Sequence, residues 1–131
     1  RYVFLITLIF YVSFFISIFA IYKKMRGRME KIEIEEKIVA MLKTVYDPEI
    51  PVNVYDLGLI YKIDVSDNGE VVLDMTLTAP NCPAADFIME DIRQKVESVE
   101  GVTSATINLV FEPEWDKDMM SEEAKLELGF L

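Results

Sequence analysis

Cys82 is the side chain of this sequence best suited to chemistry, and it is the only cysteine. It lies in the sequence TLTAPNCP (76–83), where an apolar segment leads into a predicted helix. A single thiol excludes an internal disulfide and any metal cage built from this chain's cysteines alone. The chain has no histidine, so the commonest metal ligand and general base is also missing. Chemistry at Cys82 therefore needs carboxylates, hydroxyls or groups from a second molecule.

The residues around Cys82 predict how its thiol is placed. Proline suits the first position of a helix because its φ is fixed and it has no N–H, so Pro83 predicts that Cys82 caps the following helix. A sulfur at a helix start faces unpaired N–H groups and the positive end of the dipole, which favour thiolate over thiol. Asp86, one turn further on, opposes this effect. The competing interpretation is an inert, buried cysteine that behaves as a small hydrophobe.

Two carboxylates and one hydroxyl are the other candidates for the site. Asp47 and Glu49 lie in YDPEIP (46–51), and a carboxylate pair can bind a metal or share a proton near a thiolate. A helix stop followed by a solvated loop explains the same residues. Thr78 lies on the strand leading to Cys82 and could hydrogen-bond the thiolate or a bound ligand. The alternative for Thr78, and for its neighbour Thr76, is an ordinary strand threonine.

Apolar periodicity predicts the helices that would position these residues. The first helix covers 31–45 and ends at Asp47-Pro48, since the residue before proline avoids the helical region. The second covers 83–99, and a short third helix starts at Ser121 as its cap. The predicted buried positions are Ile34, Ile38, Met41, Leu42 and Val45 in the first helix and Phe87, Ile88, Ile92, Val96 and Val99 in the second.

Three strands complete the predicted fold. Alternating runs over 59–65 and 71–77 flank Asp67-Asn68-Gly69, a pattern typical of a β-hairpin, and 102–111 forms a third strand. The order is helix, strand, strand, helix, strand and a short C-terminal helix. So few strands cannot bury both faces of a sheet in a domain of this size. We therefore expect a small two-layer α+β domain, with a mixed sheet covered by helices on one face.

A hydrophobic segment precedes this domain. Residues 2–22 have no charged side chain, and roughly 20 apolar residues suffice to cross a bilayer as a helix. The basic residues favour a cytoplasmic C-terminal side, with Arg1 before the segment and Lys23, Lys24, Arg26 and Arg28 after it. We therefore expect residues 29–131 to form a cytoplasmic domain. Residues 1–28 are then either an anchor to the inner face of the membrane or a misassigned upstream sequence, since Met25 and Met29 are natural starts.

The charge of the chain divides near the same place. All 23 acidic residues lie at or after Glu30, together with 8 of the 13 basic residues. Residues 30–131 therefore carry a net charge of 8 − 23 = −15, against +5 for the residues before them. A domain this acidic is not expected to bind nucleic acid or anionic lipid through its surface field.

Four separated blocks of this sequence resemble one family. They are VYDPEIPVNVYDLGLIY (45–61), TLTAPNCP (76–83), INLVFEPEW (107–115) and MMSEEAKLELG (119–129). Together they are similar to the PaaD/SufT-like family of iron–sulfur (metal–sulfur) cluster assembly factors, over nearly all of residues 34–131. The resemblance implies a small α+β domain that acts in iron–sulfur cluster maturation. It also implies delivery or transfer of clusters rather than turnover of a small substrate, so we do not expect an enzyme.

The same resemblance implies roles for individual residues. The family's reactive cysteine falls on Cys82, its acidic pair on Asp47 and Glu49, and its strand threonine on Thr78. Many members carry two adjacent threonines where this chain has Thr78-Ala79. Ala79 has no hydroxyl, so it cannot make the contact of the second threonine. PaaD proteins carry a cysteine-rich C-terminal extension that does not follow here, so the SufT-like branch is the better match.

Three functions remain open from the sequence. The first is a carrier or adaptor in which Cys82 is a ligand of iron or an iron–sulfur cluster, with an assembly scaffold and client apoproteins as partners. One thiol cannot supply the four ligands that a cluster takes. The cluster would be bridged across a homodimer, shared with a client or glutathione, or never bound. The second function is a thiol-dependent enzyme, which lacks a histidine base and a resolving cysteine. The third is a pure acidic protein-interaction module.

Overall fold

The computed structural model describes residues 1–131. Its elements are α1 (Tyr2–Leu42), β1 (Ile60–Val65), β2 (Glu70–Met75), α2 (Ala85–Glu97), β3 (Ser104–Leu109), a 3-10 turn (Lys117–Met119) and α3 (Glu122–Glu127). The strands form one sheet in the order β1-β2-β3, in which β1 and β2 are antiparallel and β2 and β3 are parallel. The predicted α+β fold, its element order and its mixed sheet are confirmed.

One face of the sheet is buried and the other is exposed. Val71, Leu73 and Met75 of β2 are at most 1% exposed, whereas Val72 between them is 39% exposed. On the exposed face the Asn108 side-chain amide donates to the Asp74 carboxylate at 3.0 Å. The helices cover the buried face, and their fully enclosed contributions to the core are Ile38 and Leu42 from α1 and Ile92 and Val96 from α2. The domain is therefore two-layered, as expected.

The β1–β2 hairpin turns at residues 66–69, where the sequence predicts it. The backbone N–H of Ser66 donates to the carbonyl of Glu70 at 2.9 Å, and the Ser66 hydroxyl accepts from the Glu70 N–H at 3.0 Å. Gly69 has a φ of +80°, and a Cβ there would lie 2.2 Å from the carbonyl oxygen of Gly101. Only glycine fits both the conformation and the close approach.

Helix α1 combines two unlike halves without a break. None of the side chains in its apolar N-terminal window is buried, and the helix is long and apolar enough by length and composition to cross a membrane. Contact with the domain is established at Lys31, whose Nζ lies 2.7 Å from the Asp67 carboxylate, and at Ile34, which packs against the core. The helix passes through residue 28, so the predicted division into 1–28 and 29–131 stays a prediction.

The C-terminal end of α1 differs from the prediction. The helix ends at Leu42 rather than at Asp47-Pro48. Tyr46 forms an isolated antiparallel bridge with Asn53, and the Asp47 N–H donates to the carbonyl of Val52 at 3.3 Å. These bonds across the loop replace helical bonds, so the chain leaves the helix before the proline can end it.

Helix α2 corrects two further predictions. Its cap is Ala84, so Cys82 is not the helix cap that Pro83 led us to expect. Phe87 is 78% exposed, whereas the four other predicted positions of this face are no more than 6% exposed. Ile88, Ile92 and Val96 recur every fourth residue, and Phe87 lies about 100° around the helix from Ile88, which turns it away from the core. The short α3 is confirmed with Ser121 as its cap, because the Ser121 hydroxyl accepts from the Ala124 N–H at 3.1 Å.

Candidate functional site

The candidate residues lie on two loops at one end of the sheet. Ile60, the first residue of β1, pairs with Met75, the last residue of β2. The chain entering β1 and the chain leaving β2 therefore meet at the open end of the hairpin, opposite its turn. The Thr76 N–H donates to the carbonyl of Leu59 at 2.8 Å and extends this pairing beyond the strands. We call this region the site end: its first loop (43–58) carries Asp47 and Glu49, and its second (76–84) carries Thr78 and Cys82.

Asp47 holds the first loop in shape. Its Oδ1 accepts from the backbone N–H of Glu49 at 2.8 Å and from that of Ile50 at 3.0 Å. An aspartate side chain that bonds the backbone two and three residues ahead stabilises a turn. Asp47 is half-buried, while Glu49 is exposed and its carboxylate makes no hydrogen bond or ion pair. The predicted acidic pair therefore divides into one carboxylate that builds the loop and one that remains available.

Cys82 is a free thiol, half-buried, and it packs against the hydrophobic core. Its carbonyl accepts from the Ala85 N–H at 3.2 Å, within the turn that precedes α2. Since Ala84 is the cap, the sulfur does not occupy the position at which a helix start favours thiolate. The access of Cys82 to solvent, rather than a helix cap, is what makes it a candidate ligand.

Thr76 is the residue whose importance the sequence does not reveal. It is 1% exposed, and its Oγ1 has no hydrogen-bond partner. A buried polar atom without a partner costs about 1–3 kcal/mol, so it needs an explanation such as a bound water or ligand. Thr78, the predicted site residue, is only half-buried. The two threonines look alike in the sequence TLT, and burial alone distinguishes them.

The C-terminal segment braces the first loop. The Trp115 indole N–H donates to the carbonyl of Leu57 at 2.7 Å, and the Ser121 N–H donates to the carbonyl of Asp56 at 2.8 Å. Gly58 has a φ of +78°, and a Cβ there would lie 2.3 Å from the carbonyl oxygen of Met119. The residues between Trp115 and Ser121 therefore hold the loop that carries Asp47.

The site end does not form a metal site by itself. No three His, Cys, Asp or Glu side chains are grouped so that they could hold a metal ion. Cys82, Asp47 and Glu49 are thus brought to the same end of the sheet without forming a three-ligand group. An iron–sulfur cluster takes four protein ligands. The residues present fit such a cluster only as a share of a site that a second molecule completes.

The best-defined ion cluster lies away from this site, on the surface of α2. The Arg93 guanidinium donates to the carboxylates of Glu90 and Glu97. Hydrogen bonds from Arg93 and then from Gln94 lower the pKa of Glu90 to about 2. All of these groups are exposed, so the cluster contributes little to stability.

Comparisons with known proteins agree on one family. A family model described as iron–sulfur cluster assembly protein matches residues 35–109. An Fe-S protein maturation auxiliary factor of Porphyromonas gingivalis is 72% identical over 102 residues, which cover 78% of this chain and 97% of that protein. The Fe-S protein maturation auxiliary factor SufT of Staphylococcus aureus is 39% identical over 85 residues, which cover 65% of this chain and 97% of that protein.

A solved structure agrees with the sequence matches. A chain of Bacillus anthracis, described as a domain of unknown function (DUF59), has a TM-score of 0.74 and 35% sequence identity. The match covers 79% of this chain and 99% of that one. The similarity therefore extends over the α+β domain.

Proposed function

This chain belongs to the iron–sulfur cluster assembly protein family, and we propose that it acts there as a carrier or adaptor rather than as an enzyme. Its role is the assembly or maturation of iron–sulfur proteins, like that of the SufT-like relatives. Such a role requires contact with the assembly machinery and with client proteins. The observation that supports our proposal is the half-buried free thiol of Cys82 at the same end of the sheet as the acidic loop.

In this proposal Cys82 supplies one thiolate ligand to iron or to a cluster in transit, which is cargo rather than a resident cofactor. The remaining ligands come from a second molecule, since this chain has one thiol and no three-ligand group. That molecule is a homodimer partner, a scaffold or a client apoprotein. Glu49 offers an available carboxylate, Asp47 shapes the loop beside it, and Thr78 offers a hydroxyl on the loop of Cys82.

The enzyme alternative has less support. A catalytic thiol needs a base to activate it, and the chain has no histidine for this task. A thiol that exchanges disulfides needs a second thiol for release, and Cys82 is the only one. The third function, an acidic interaction module, uses the net charge of residues 30–131 and leaves Cys82 without a role.

Maturation of a client apoprotein tests the role of the thiol. Full-length chain in detergent is incubated anaerobically with ferrous iron, sulfide and a client apoprotein whose activity depends on its cluster. We expect wild type to accelerate recovery of client activity and Cys82→Ser to lose the acceleration. Asn81→Ala, an exposed change in the same loop, is the matched control and should behave as wild type. Equal acceleration by wild type and Cys82→Ser would refute the ligand role and favour the interaction module.

We also propose that residues 2–22 anchor the chain to the inner face of a membrane, with residues 29–131 as the cytoplasmic domain. The uncovered apolar surface of this part of α1 and the basic residues after it support this placement. The full chain with a C-terminal tag should remain in the membrane fraction after extraction at alkaline pH. Recovery of a chain of full intact mass in the soluble fraction would contradict the anchor.

A further inference from the structure

The domain has a fixed polarity along α1. Asp67 of the hairpin turn pairs with Lys31, and in the turn between α2 and β3 a Cβ at Gly101 would lie 2.9 Å from Ile34 Cδ1. Both turns therefore lie beside the part of α1 nearest the apolar segment, and we call this region the turn end. The first loop of the site end follows Leu42, which lies about 16 Å beyond Lys31 along the helix at 1.5 Å per residue. Cys82 likewise follows the last residue of β2, at the end of the sheet away from the turn.

Several basic side chains without an ion-pair partner lie between the apolar segment and the turn end. Arg26 pairs with Glu30 at 3.3 Å, and Lys31 pairs with Asp67. Lys23, Lys24 and Arg28 have no carboxylate within ion-pair distance and form what we call the basic collar. The collar lies along one side of an open cleft of about 1070 Å³ between α1 and the turn end, whose lining also includes the carboxylates of Glu30, Glu33, Asp67 and Glu100.

We propose that the basic collar binds anionic lipid headgroups and thereby directs the turn end to the bilayer and the site end away from it. This inference rests on the proposed anchor. If residues 2–22 lie in a bilayer, the collar follows at headgroup depth, where lysine and arginine are attracted to anionic lipids. Residues 30–131, with a net charge of −15 (8 − 23), are repelled by the same surface. Attraction at the collar and repulsion of the domain favour one orientation, which leaves Cys82 accessible to soluble partners.

The single cysteine makes this orientation measurable. A fluorophore is attached to Cys82, or to residue 68 in the Asn68→Cys/Cys82→Ser variant, in full-length chain reconstituted into vesicles with a headgroup-linked quencher. In vesicles of phosphatidylcholine and phosphatidylglycerol we expect stronger quenching at residue 68 than at residue 82. The difference should be smaller in pure phosphatidylcholine and in Lys23→Gln/Lys24→Gln/Arg28→Gln, where only the continuous helix α1 sets the orientation. It should also be smaller at about 1 M salt, where the Debye length falls to about 3 Å.

The outcomes separate the orientation from the anchor on which it rests. A chain that fails to float with either kind of vesicle overturns the anchor and this inference together. A chain that floats with both, but shows equal quenching at the two positions in anionic vesicles, overturns the orientation and leaves the anchor standing. A difference of the same size without anionic lipid or in the triple variant overturns the role of the collar. Inorganic phosphate added at millimolar concentration should leave the difference unchanged, since loss by phosphate would point to a small-anion site.

Discussion

The core and the site end are held together by different forces. In the core, Ile38, Leu73 and Ile92 are fully enclosed and depend on apolar contacts. At the site end, hydrogen bonds from Asp47 and Trp115 shape the first loop, the Thr76 hydroxyl is unpaired, and Cys82 is partly open to solvent. We therefore expect core substitutions to unfold the domain. Site-end substitutions should impair function while much of the free energy of unfolding remains.

The largest effect is expected in the core. Ile92→Ala removes a fully buried side chain of α2 and should lower the free energy of unfolding by about 2–5 kcal/mol. Phe87→Ala, on the exposed side of the same helix, should change it by less than about 0.5 kcal/mol. Urea unfolding of the two variants measures the difference. Similar losses would mean that Phe87 is buried and that the assignment of the two faces of α2 is wrong.

Gly58 lies where the C-terminal segment meets the first loop. Gly58→Ala introduces a side chain at a φ of +78° and a Cβ 2.3 Å from the Met119 carbonyl oxygen. Gly129→Ala is the matched control, since Gly129 has the same φ but nothing within 4 Å. The left-handed conformation alone costs about 1–2 kcal/mol, so Gly58→Ala should lose clearly more than that. Equal thermal shifts in the two variants would show that the contact with Met119 does not constrain the loop.

Substitutions of Asp47 and of Glu49 should have different effects on stability but the same effect on function. Asp47→Ala removes two hydrogen bonds within the loop and should lower the free energy of unfolding by about 1–2 kcal/mol. Glu49→Ala removes no hydrogen bond and should leave stability unchanged, while both variants slow client maturation. Urea unfolding and the maturation assay are run on the same preparations. A destabilised Glu49→Ala, or one with full maturation activity, would refute the division of roles.

A substitution at Thr76 tests whether its unpaired hydroxyl lowers the stability of the fold. Thr76→Val replaces the hydroxyl by a methyl group of similar size and, without a partner to lose, should raise stability by up to about 1 kcal/mol. Thr78→Val, at the half-buried position, is the control and should change stability little. Thermal unfolding distinguishes the two. A loss of stability in Thr76→Val would mean that the hydroxyl is hydrogen-bonded in solution.

The smallest effect concerns the surface of α2. The pKa of Glu90 is lowered to about 2 from an ordinary 4.5, chiefly by its hydrogen bond with Arg93. A carboxyl group whose pKa is lowered in the folded state stabilises the fold at pH values above its ordinary pKa. This contribution is lost as the pH falls from about 4.5 towards 2. The stability difference between wild type and Arg93→Gln should therefore be constant near neutral pH and shrink below pH 4.5. A difference that grows on acidification would contradict this sign.

Periodicity in the sequence predicted the core better than the site. The hairpin turn at Gly69 and the buried positions Ile88, Ile92 and Val96 follow from spacing, because apolar burial acts on every turn of a helix and every second residue of a strand. Phe87 was misplaced because hydrophobicity alone does not distinguish neighbouring positions at the edge of a helical face. The missed end of α1 depends on hydrogen bonds across a loop, which have no period. The missed cap of α2 depends on a local turn, in which the Ala85 N–H donates to the carbonyl of Cys82.

The site depends on contacts between residues that are distant in sequence. Cys82, Asp47, Glu49 and Thr78 were named from residue type and family resemblance, and their roles stay predictions. Trp115 and Ser121 hydrogen-bond to residues of the first loop that lie more than fifty positions away in the sequence. No local sequence pattern predicts such pairs. Thr76 was interpreted as an ordinary strand threonine, because its importance lies in its burial, which residue type alone does not reveal.

The central claim is that Cys82 is one ligand of a site that a second protein molecule completes. Native mass spectrometry tests it most directly, on full-length chain mixed anaerobically with ferrous iron, sulfide and a client apoprotein. We predict that every iron–sulfur species containing this chain also contains a second protein molecule, and that Cys82→Ser forms none. A cluster held by one copy of this chain alone, or one that persists in Cys82→Ser, would contradict the account.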